Sequence, residues 1–340
     1  MLSKLSWLTP ALAFLLLATG CTPDTKTETA DSAATEQPVL SKAPAFNADS
    51  AYAYTAQQVA FGPRVPNSKA HVATGDWIVQ KFKSFGLSVQ QQPFEAMAFD
   101  GKMLRGRNLI AQFAPQAPQR IAIFTHWDTR PFADKDKQHK NAPLDGASDG
   151  ASGVAVALEM ARQLSLQPDS LQPKVGVDFI LVDAEDYGYD DATQGELKNQ
   201  LAGKDSWGLG SQYWAQHTVP ANYKPRFGIL LDMVGAQNAR FSREGLSMQV
   251  AKDVVDKVWN TASQIGYSDN FLFVNGPEIT DDHQYTNQAG IRTIDIVDLV
   301  PFGDDVFPAY HHTTQDNMSI IDRRTLKAVG QTMLQVVYGE

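Results

Sequence analysis

A single cysteine, Cys21, supplies all the thiol in a chain of 340 residues. An intrachain disulfide is therefore excluded, and the folded part must hold itself together by its core. The apolar stretch Leu5 to Ala18 falls short of the roughly 20 residues that span a bilayer comfortably. There is no block of Lys and Arg either. The chain carries 29 basic against 38 acidic residues, a formal charge of −9. Without a basic stripe to track a phosphate backbone, nucleic acid is excluded as an expected partner. Beyond residue 45 neither an internal repeat nor a linker-like stretch appears, which favours one large domain over two.

The N-terminus has a recognisable layout. Lys4, the apolar stretch and then Thr19-Gly20-Cys21 follow the three-part plan of a secretory signal. Small residues ahead of Cys21 resemble a bacterial lipobox, in which the cysteine becomes the lipidated first residue; an ordinary cleaved signal is the alternative. Residues 22 to 45 are rich in Thr, Ala, Ser, Asp and Glu and cannot bury enough apolar surface to order themselves. The expected organisation is a signal peptide over 1–20, lipidated Cys21 with a disordered tether over 21–45, and one catalytic domain over 46–340. Such a chain would be exported and held by its lipid at the cell envelope, on the periplasmic face of a bacterial membrane.

Near-continuous apolar runs at Asn108–Phe113, Arg120–Thr125, Val175–Val182, Phe227–Met233 and Ile291–Val297 predict strands covered on both faces. Helical spacing lies between them, at Gly75–Phe85, at Gly153–Leu164 and in the stripe Val250, Val254, Val258, Ala262, Ile265, with a closing helix over Arg323–Tyr338. This alternation predicts an α/β fold, a three-layer α/β/α sandwich around a mixed, mainly parallel sheet. Ligands of such sheets gather at the carboxyl ends of the strands.

Chemistry-bearing residues stand where those ends should fall. One run closes on His126-Trp127-Asp128, the next on Asp183-Ala184-Glu185-Asp186 and a third on Asp232. The Gly-rich loop Asp145–Gly153 contributes Asp149, and a late loop contributes His311 and His312. Carboxylates packed this closely repel one another unless a cation or a proton sits among them. Imidazole and carboxylate donors without a thiolate suit zinc or another borderline divalent ion. For His126, metal ligation and a supporting hydrogen bond to Asp128 both stay open. His71, His139 and His217 read as surface or structural residues without partners.

The ordered set His126-x-Asp128, Asp149 in "GASDGASGVA", Glu185-Asp186, Asp232 in "LLDMVGAQN" and His312 in "HHTTQDN" resembles the zinc aminopeptidase and glutaminyl cyclase superfamily. The likeness runs from "FGPRVPNS" at 61–68 to the C-terminus. It implies a zinc-aminopeptidase-like fold, with Asp149, Asp186 and His312 as zinc ligands, Glu185 as proton shuttle and Asp183 bracing the turn. It further implies an acid network of Asp232, Asp281 and Asp295, in which Asp232 and Asp281 share a proton through a short hydrogen bond. Ile279, Phe307 and His311 become the substrate pocket, and His126 and Asp128 a second metal position or a support. "LLDMVGAQN" and the paired Asp before His283 resemble the cyclase branch. That branch implies one zinc per chain and peptides or proteins with N-terminal glutamine as substrates, converted to pyroglutamate with loss of ammonia. A binuclear aminopeptidase with two zincs is the alternative, and a non-catalytic lipoprotein binding module a third reading. Three positions depart from the pattern: Asp186 stands where relatives have Glu, Asp295 where animal cyclases have His, and His311 where they have Trp.

Overall fold

A computed structural model describes residues 42–189, 205–299 and 305–340. The signal segment, Cys21 and nearly all of the tether lie outside the described residues. Residues assigned to the end of the tether belong to the folded body: Ala43 packs against the core, and the carbonyl of Pro44 accepts a hydrogen bond from Gln331 Nε2 at 3.0 Å.

The fold is an α/β sandwich. Its six-stranded sheet has the order β1-β2-β4-β3-β5-β8, built from Ser88–Met97 (β1), Met103–Phe113 (β2), Arg120–His126 (β3), Gly176–Val182 (β4), Gly228–Asp232 (β5) and Thr293–Val297 (β8). β1 and β2 run antiparallel to their neighbours, whereas β4, β3, β5 and β8 are parallel. Phe241–Arg243 (β6) and Phe271–Asn275 (β7) form a separate two-stranded pair. The helices are Ala48–Ala60 (α1), Lys69–Ser84 (α2), Ala151–Ser165 (α3), Leu209–Gln216 (α4), Gly245–Val250 (α5), Lys252–Gln264 (α6), Asp282–Gln288 (α7) and Arg323–Tyr338 (α8).

Alternate residues of β3 show how the layers are made. Ile121 and Ile123 enter the larger core with Val154 and Leu158 of α3 and Val329 and Met333 of α8. Ala122 and Phe124 enter a second core with Trp214 of α4 and Tyr223. A strand covered on both faces must be apolar at every position, which is why its sequence reads as an unbroken run. β1 escaped that reading because it is an edge strand; of its ten residues only Gln92 and Phe94 are buried. The apolar stripe at 250–265 also needs correction. Val250 ends α5 and is 37% exposed, and the buried face of α6 is Val254, Val255, Val258, Trp259 and Ala262.

Register places the chemistry. His126 ends β3 level with Val182 at the end of β4, so the turn after β4 begins where β3 delivers its imidazole. Asp232 ends β5 level with Val297, and Asp295 lies two residues inside, opposite Leu230. No helix among the described residues is long and apolar enough to cross a membrane.

Candidate metal and acid–base site

Two carboxylates with no free role hold the acidic turn after β4. Asp183 accepts from the backbone N–H of Arg107 at 2.7 Å and of Ala184 at 2.8 Å, and its oxygens lie 2.8 and 2.9 Å from His71 Nε2. Asp128 accepts from the N–H of Glu185 at 3.0 Å and of Asp186 at 3.2 Å. Between them Ala184 is forced to φ 54°, one of three non-glycine residues in the left-handed region at this rim, with Met233 (φ 47°) and His312 (φ 56°). Such conformations cost on the order of 1–3 kcal/mol each and persist only where neighbours over-determine them. His71 thus corrects its reading as a residue without partners. It is buried, hydrogen-bonded to Asp183 and stacked on Trp127. His139 and His217 are exposed, as expected, but His217 is not without partners: its ring stacks on Tyr213 and its Nδ1 lies 3.0 Å from that residue's carbonyl oxygen.

The loop carrying Asp149 is clamped just as firmly. Asp316 accepts from the N–H of Ser148 at 2.7 Å and of Asp149 at 3.0 Å. Buried Arg64 donates to the carbonyls of Asp145 and Gly146. Gly150, the residue before α3, has φ 70°, and a Cβ there would stand 2.8 Å from His126 Cε1, so both conformation and space demand glycine.

Asp149 stands between two histidines. On one side His126 Nε2 lies 2.9 Å from Asp149 and 3.1 Å from Asp232, and its Nδ1 lies 3.5 Å from Asp128. Burial acts to lower the His126 pKa, but Asp128, Asp149 and Asp232 outweigh it and push it well above the usual imidazole range. On the other side, donor atoms of Asp149, His311 and His312 all lie within 4.8 Å of one another. His312 Nε2 faces Asp186 at 3.3 Å, and its Nδ1 faces Asp134 at 3.5 Å. Burial, followed by the charge of Arg130, pushes His312 down to about 3, so its ring offers a lone pair at neutral pH. Asp186 is buried, its Oδ1 lacks a hydrogen-bond partner, and burial followed by the charge of Asp149 pushes it well above the carboxylate range. A neutral imidazole, an unpartnered buried carboxylate oxygen and a second carboxylate are a donor set that fits a divalent cation. The backing of each imidazole by a further Asp is the arrangement that orients metal-bound histidine.

Glu185 follows a different pattern. Its side chain is half-buried and makes no hydrogen bond among the described residues. Burial first, and then the charges of Asp282, Asp281 and Asp186 against the lowering influence of His126, push its pKa well above the usual range. A carboxyl raised in this way, with no hydrogen bond to hold either form, is suited to take and return a proton.

The acid network is arranged otherwise than expected. Asp232 turns Oδ1 to His126, and the carboxyl group grouped with Asp281 is that of Asp295. Donor atoms of Asp281, His283 and Asp295 lie within 4.8 Å of one another. Burial, then the charge of Asp232, pushes Asp281 up to about 7; burial, then Asp281, pushes Asp295 well above its usual range. The short hydrogen bond expected between Asp232 and Asp281 is not formed: Asp232 faces His126, and Asp281 is grouped with His283 and Asp295. The imidazolium of His126 is the better partner for the Asp232 carboxylate.

Ile279 and Phe307 meet in a small apolar cluster with Met233, Val297, Leu299 and Tyr310, and Phe307 stacks on His311 with centroids 4.1 Å apart. His311 Nδ1 lies 3.0 Å from Lys135 Nζ, and its ring lies against His312. Several residues here went unread in the sequence. Arg130 donates to the carbonyls of Asp186 and Gly188 and pairs with Asp134, and Trp207 stacks over His312 at 5.8 Å. Only the spacing of Arg130 and Asp134, four residues apart, hinted at their pairing.

Comparison with known proteins agrees with this layout. Residues 108–337 match the model of Peptidase family M28. The chain is similar to a glutaminyl cyclase of Bacteroides thetaiotaomicron, solved bound to N-acetylhistamine, with 47% identity, a TM-score of 0.82, and coverage of 88% of this chain and 100% of that one. It is equally similar to a Zn-dependent exopeptidase from Parabacteroides distasonis, with 46% identity, a TM-score of 0.83 and the same coverage. Aminopeptidase YwaD of Bacillus subtilis is 26% identical over 226 residues, which span 65% of this chain but 41% of that relative's length.

Proposed function

The chain belongs to Peptidase family M28, and from that premise we propose that it is a zinc-dependent glutaminyl-peptide cyclotransferase, acting on peptides and proteins with N-terminal glutamine. The observation that carries this reading is the buried grouping of Asp281 with His283 and Asp295, whose donor atoms lie within 4.8 Å of one another. These buried acids form, with His283, a third donor group apart from the two that share Asp149, and the charge of Asp281 reaches Glu185. Hydrolysis at a pair of metals has no use for them, whereas cyclisation needs hydrogen-bond partners for an amine and a departing amide nitrogen. The similarity to the Bacteroides glutaminyl cyclase over that protein's whole length supports the same assignment.

In this reading Asp149, Asp186 and His312 hold a single zinc, which when bound supplies a Lewis acid for the side-chain amide carbonyl. Glu185 takes a proton from the α-amine as the amine nitrogen bonds to the amide carbon. It then returns that proton to the amide nitrogen as the carbon–nitrogen bond breaks and ammonia leaves. Asp232, with Asp281 and Asp295 behind it, provides the hydrogen-bonding wall for the nitrogen atoms. Ile279 and Phe307 exclude water from the side of the glutamine methylenes, and His311, braced by Lys135, closes the same wall. His126, with Asp128 behind it, supports Asp149 and Asp232 through its own protons. The residues ahead of 42 act as a lipidated, exported anchor through Cys21, a proposal resting on the small residues before that cysteine.

One observation favours a second reading. His126, Asp149 and Asp232 form another group of three donors that shares Asp149, as a binuclear aminopeptidase would require. A peptide assay separates the two. The zinc-loaded chain should release ammonia from a Gln-initiated peptide and lower the peptide's mass by the same loss, and a chelator should stop both. Release of free amino acid from Leu- or Ala-initiated peptides, with no cyclisation, would establish the aminopeptidase instead.

A further inference from the structure

A buried polar cluster behind the acids is left over by this mechanism. Glu244, the residue before α5, accepts from the N–H groups of Leu246 (2.8 Å), Ser247 (2.7 Å) and Ile279 (3.2 Å) and from Ser247 Oγ (2.6 Å). A carboxylate that receives several hydrogen bonds is favoured in its ionised form. Burial raises Glu244, but His283 and the hydrogen bonds from Ser247 lower it below the usual carboxylate range. Its Oε2 also lies 3.1 Å from His283 Nε2. The other ring nitrogen, Nδ1, lies 3.7 Å from Asp295 Oδ2, and donor atoms of Asp295 and Asp281 lie within 4.8 Å of each other.

All of these groups are sealed from water, and neither nitrogen of His283 nor either oxygen of Asp295 makes a well-aligned hydrogen bond. Leaving such an atom unpaired in the interior is unfavourable. A separation of 3.7 Å is too long for a formed bond, but a small rotation of His283 or Asp295 closes it. The groups facing the cluster are Glu244 from the start of α5, Asp281 at the N-cap of α7, Asp282 and His283 from α7, Asp295 from β8, Asp232 from β5 and His126 from β3. Five acids face at most two imidazoles, His283 and His126, so the acids cannot all be ionised. Donor must follow acceptor in one direction, starting from Glu244, the group held ionised.

We propose that Glu244 and His283 are positioning residues that close an oriented hydrogen-bond chain. In it His283 donates Nε2–H to Glu244, Asp295 donates to His283 Nδ1, and Asp281 donates to Asp295. The chain keeps Asp281 and Asp295 as neutral acids and leaves one negative charge, on Glu244, at its closed end. Asp281 then presents no second base beside Glu185. Its assigned benefit to catalysis rests on the cyclotransferase reading; the proton arrangement itself does not.

The arrangement is read by nuclear magnetic resonance on the full-length, zinc-loaded chain carrying 15N-histidine and carboxyl-13C-aspartate, near neutral pH. Signals are assigned with His283→Gln, Asp281→Asn and Asp295→Asn. The expected wild-type result is a neutral His283 with its proton on Nε2 and a bare Nδ1, and two aspartate carboxyl carbons at protonated-acid shifts. In Glu244→Gln the fixed tautomer should be lost, and kcat on a Gln-initiated peptide should fall on the order of tenfold with KM unchanged. An Nδ1–H tautomer, a doubly protonated His283 beside ionised acids, or His283 signals that move when zinc exceeds one equivalent would each overturn the chain. Since the tautomer is read on the wild type, a Glu244 variant that fails to fold leaves the test intact. A wild type that never cyclises glutamine sinks the cyclotransferase reading, and the tautomer is still measured.

Discussion

His126 and His312 flank the same aspartate and are driven in opposite directions. Asp128, Asp149 and Asp232 surround His126, which is held protonated, whereas Arg130 stands near His312 and helps burial strip its proton. Both rings have a backing aspartate at 3.5 Å, so the second neighbour does not separate them. The sign of the nearest unmatched charge does. One imidazole offers protons to carboxylates and the other a lone pair, and this asymmetry is why the proposed zinc is placed on the His312 side.

The largest expected effect comes from breaking the His312 side. Asp186→Ala removes the unpartnered carboxylate oxygen 3.3 Å from His312, and zinc content and cyclisation should both fall to background. Metal analysis after dialysis, beside an ammonia-release assay, checks this; full zinc retention would move the site elsewhere. Glu185→Gln is expected to come next. It preserves shape and removes the proton acceptor, so zinc should stay while kcat falls about 10²–10⁴-fold, the usual range for lost acid–base catalysis. A variant as active as wild type would exclude Glu185 as the proton carrier.

Much of this contrast was legible in the sequence, for a physical reason. Strands covered on both faces must be apolar throughout, and parallel strands point their carboxyl ends the same way, so His126, Glu185, Asp186 and Asp232 could be brought to one rim from their order alone. What fixes their charge was not legible. Arg64, Arg130, Asp134 and Asp316 reach the site from loops whose conformation depends on backbone hydrogen bonds, and no periodicity marks them. His71 looked unpartnered because Asp183, its partner, is 112 residues away along the chain. The grouping of Asp281 with Asp295 instead of Asp232 depends on which carboxylate an imidazolium reaches first, a matter of side-chain geometry that spacing does not contain.

Asp281→Asn sharpens the comparison at an intermediate level. Asparagine keeps the size and a donor but cannot stand as a carboxyl against Asp295. Cyclisation should drop on the order of tenfold to a hundredfold with zinc content unchanged, because Asp281 lies outside the proposed ligand set. Loss of zinc in this variant would place Asp281 among the ligands.

His126→Gln should have the smallest effect on cyclisation and the greatest value for the comparison. Glutamine keeps an N–H donor for Asp149 or Asp232 and removes the positive charge that balances both. Without zinc, two buried carboxylates then face each other unneutralised, and removing one partner of a buried ion pair costs about 3–5 kcal/mol, so the metal-free variant should melt well below wild type. With zinc on the His312 side, Asp149 is neutralised from its other edge, which restores most of that stability. Zinc should therefore raise the melting temperature of the variant more than that of wild type. Bound zinc should stay at one per chain, and kcat should fall by about tenfold at most, or 1.4 kcal/mol. A binuclear enzyme behaves oppositely: the wild type would hold two zincs, and His126→Gln would lose one of them together with all turnover. The two histidines would then be equivalent ligands, and the charge asymmetry between them would have no bearing on the chemistry.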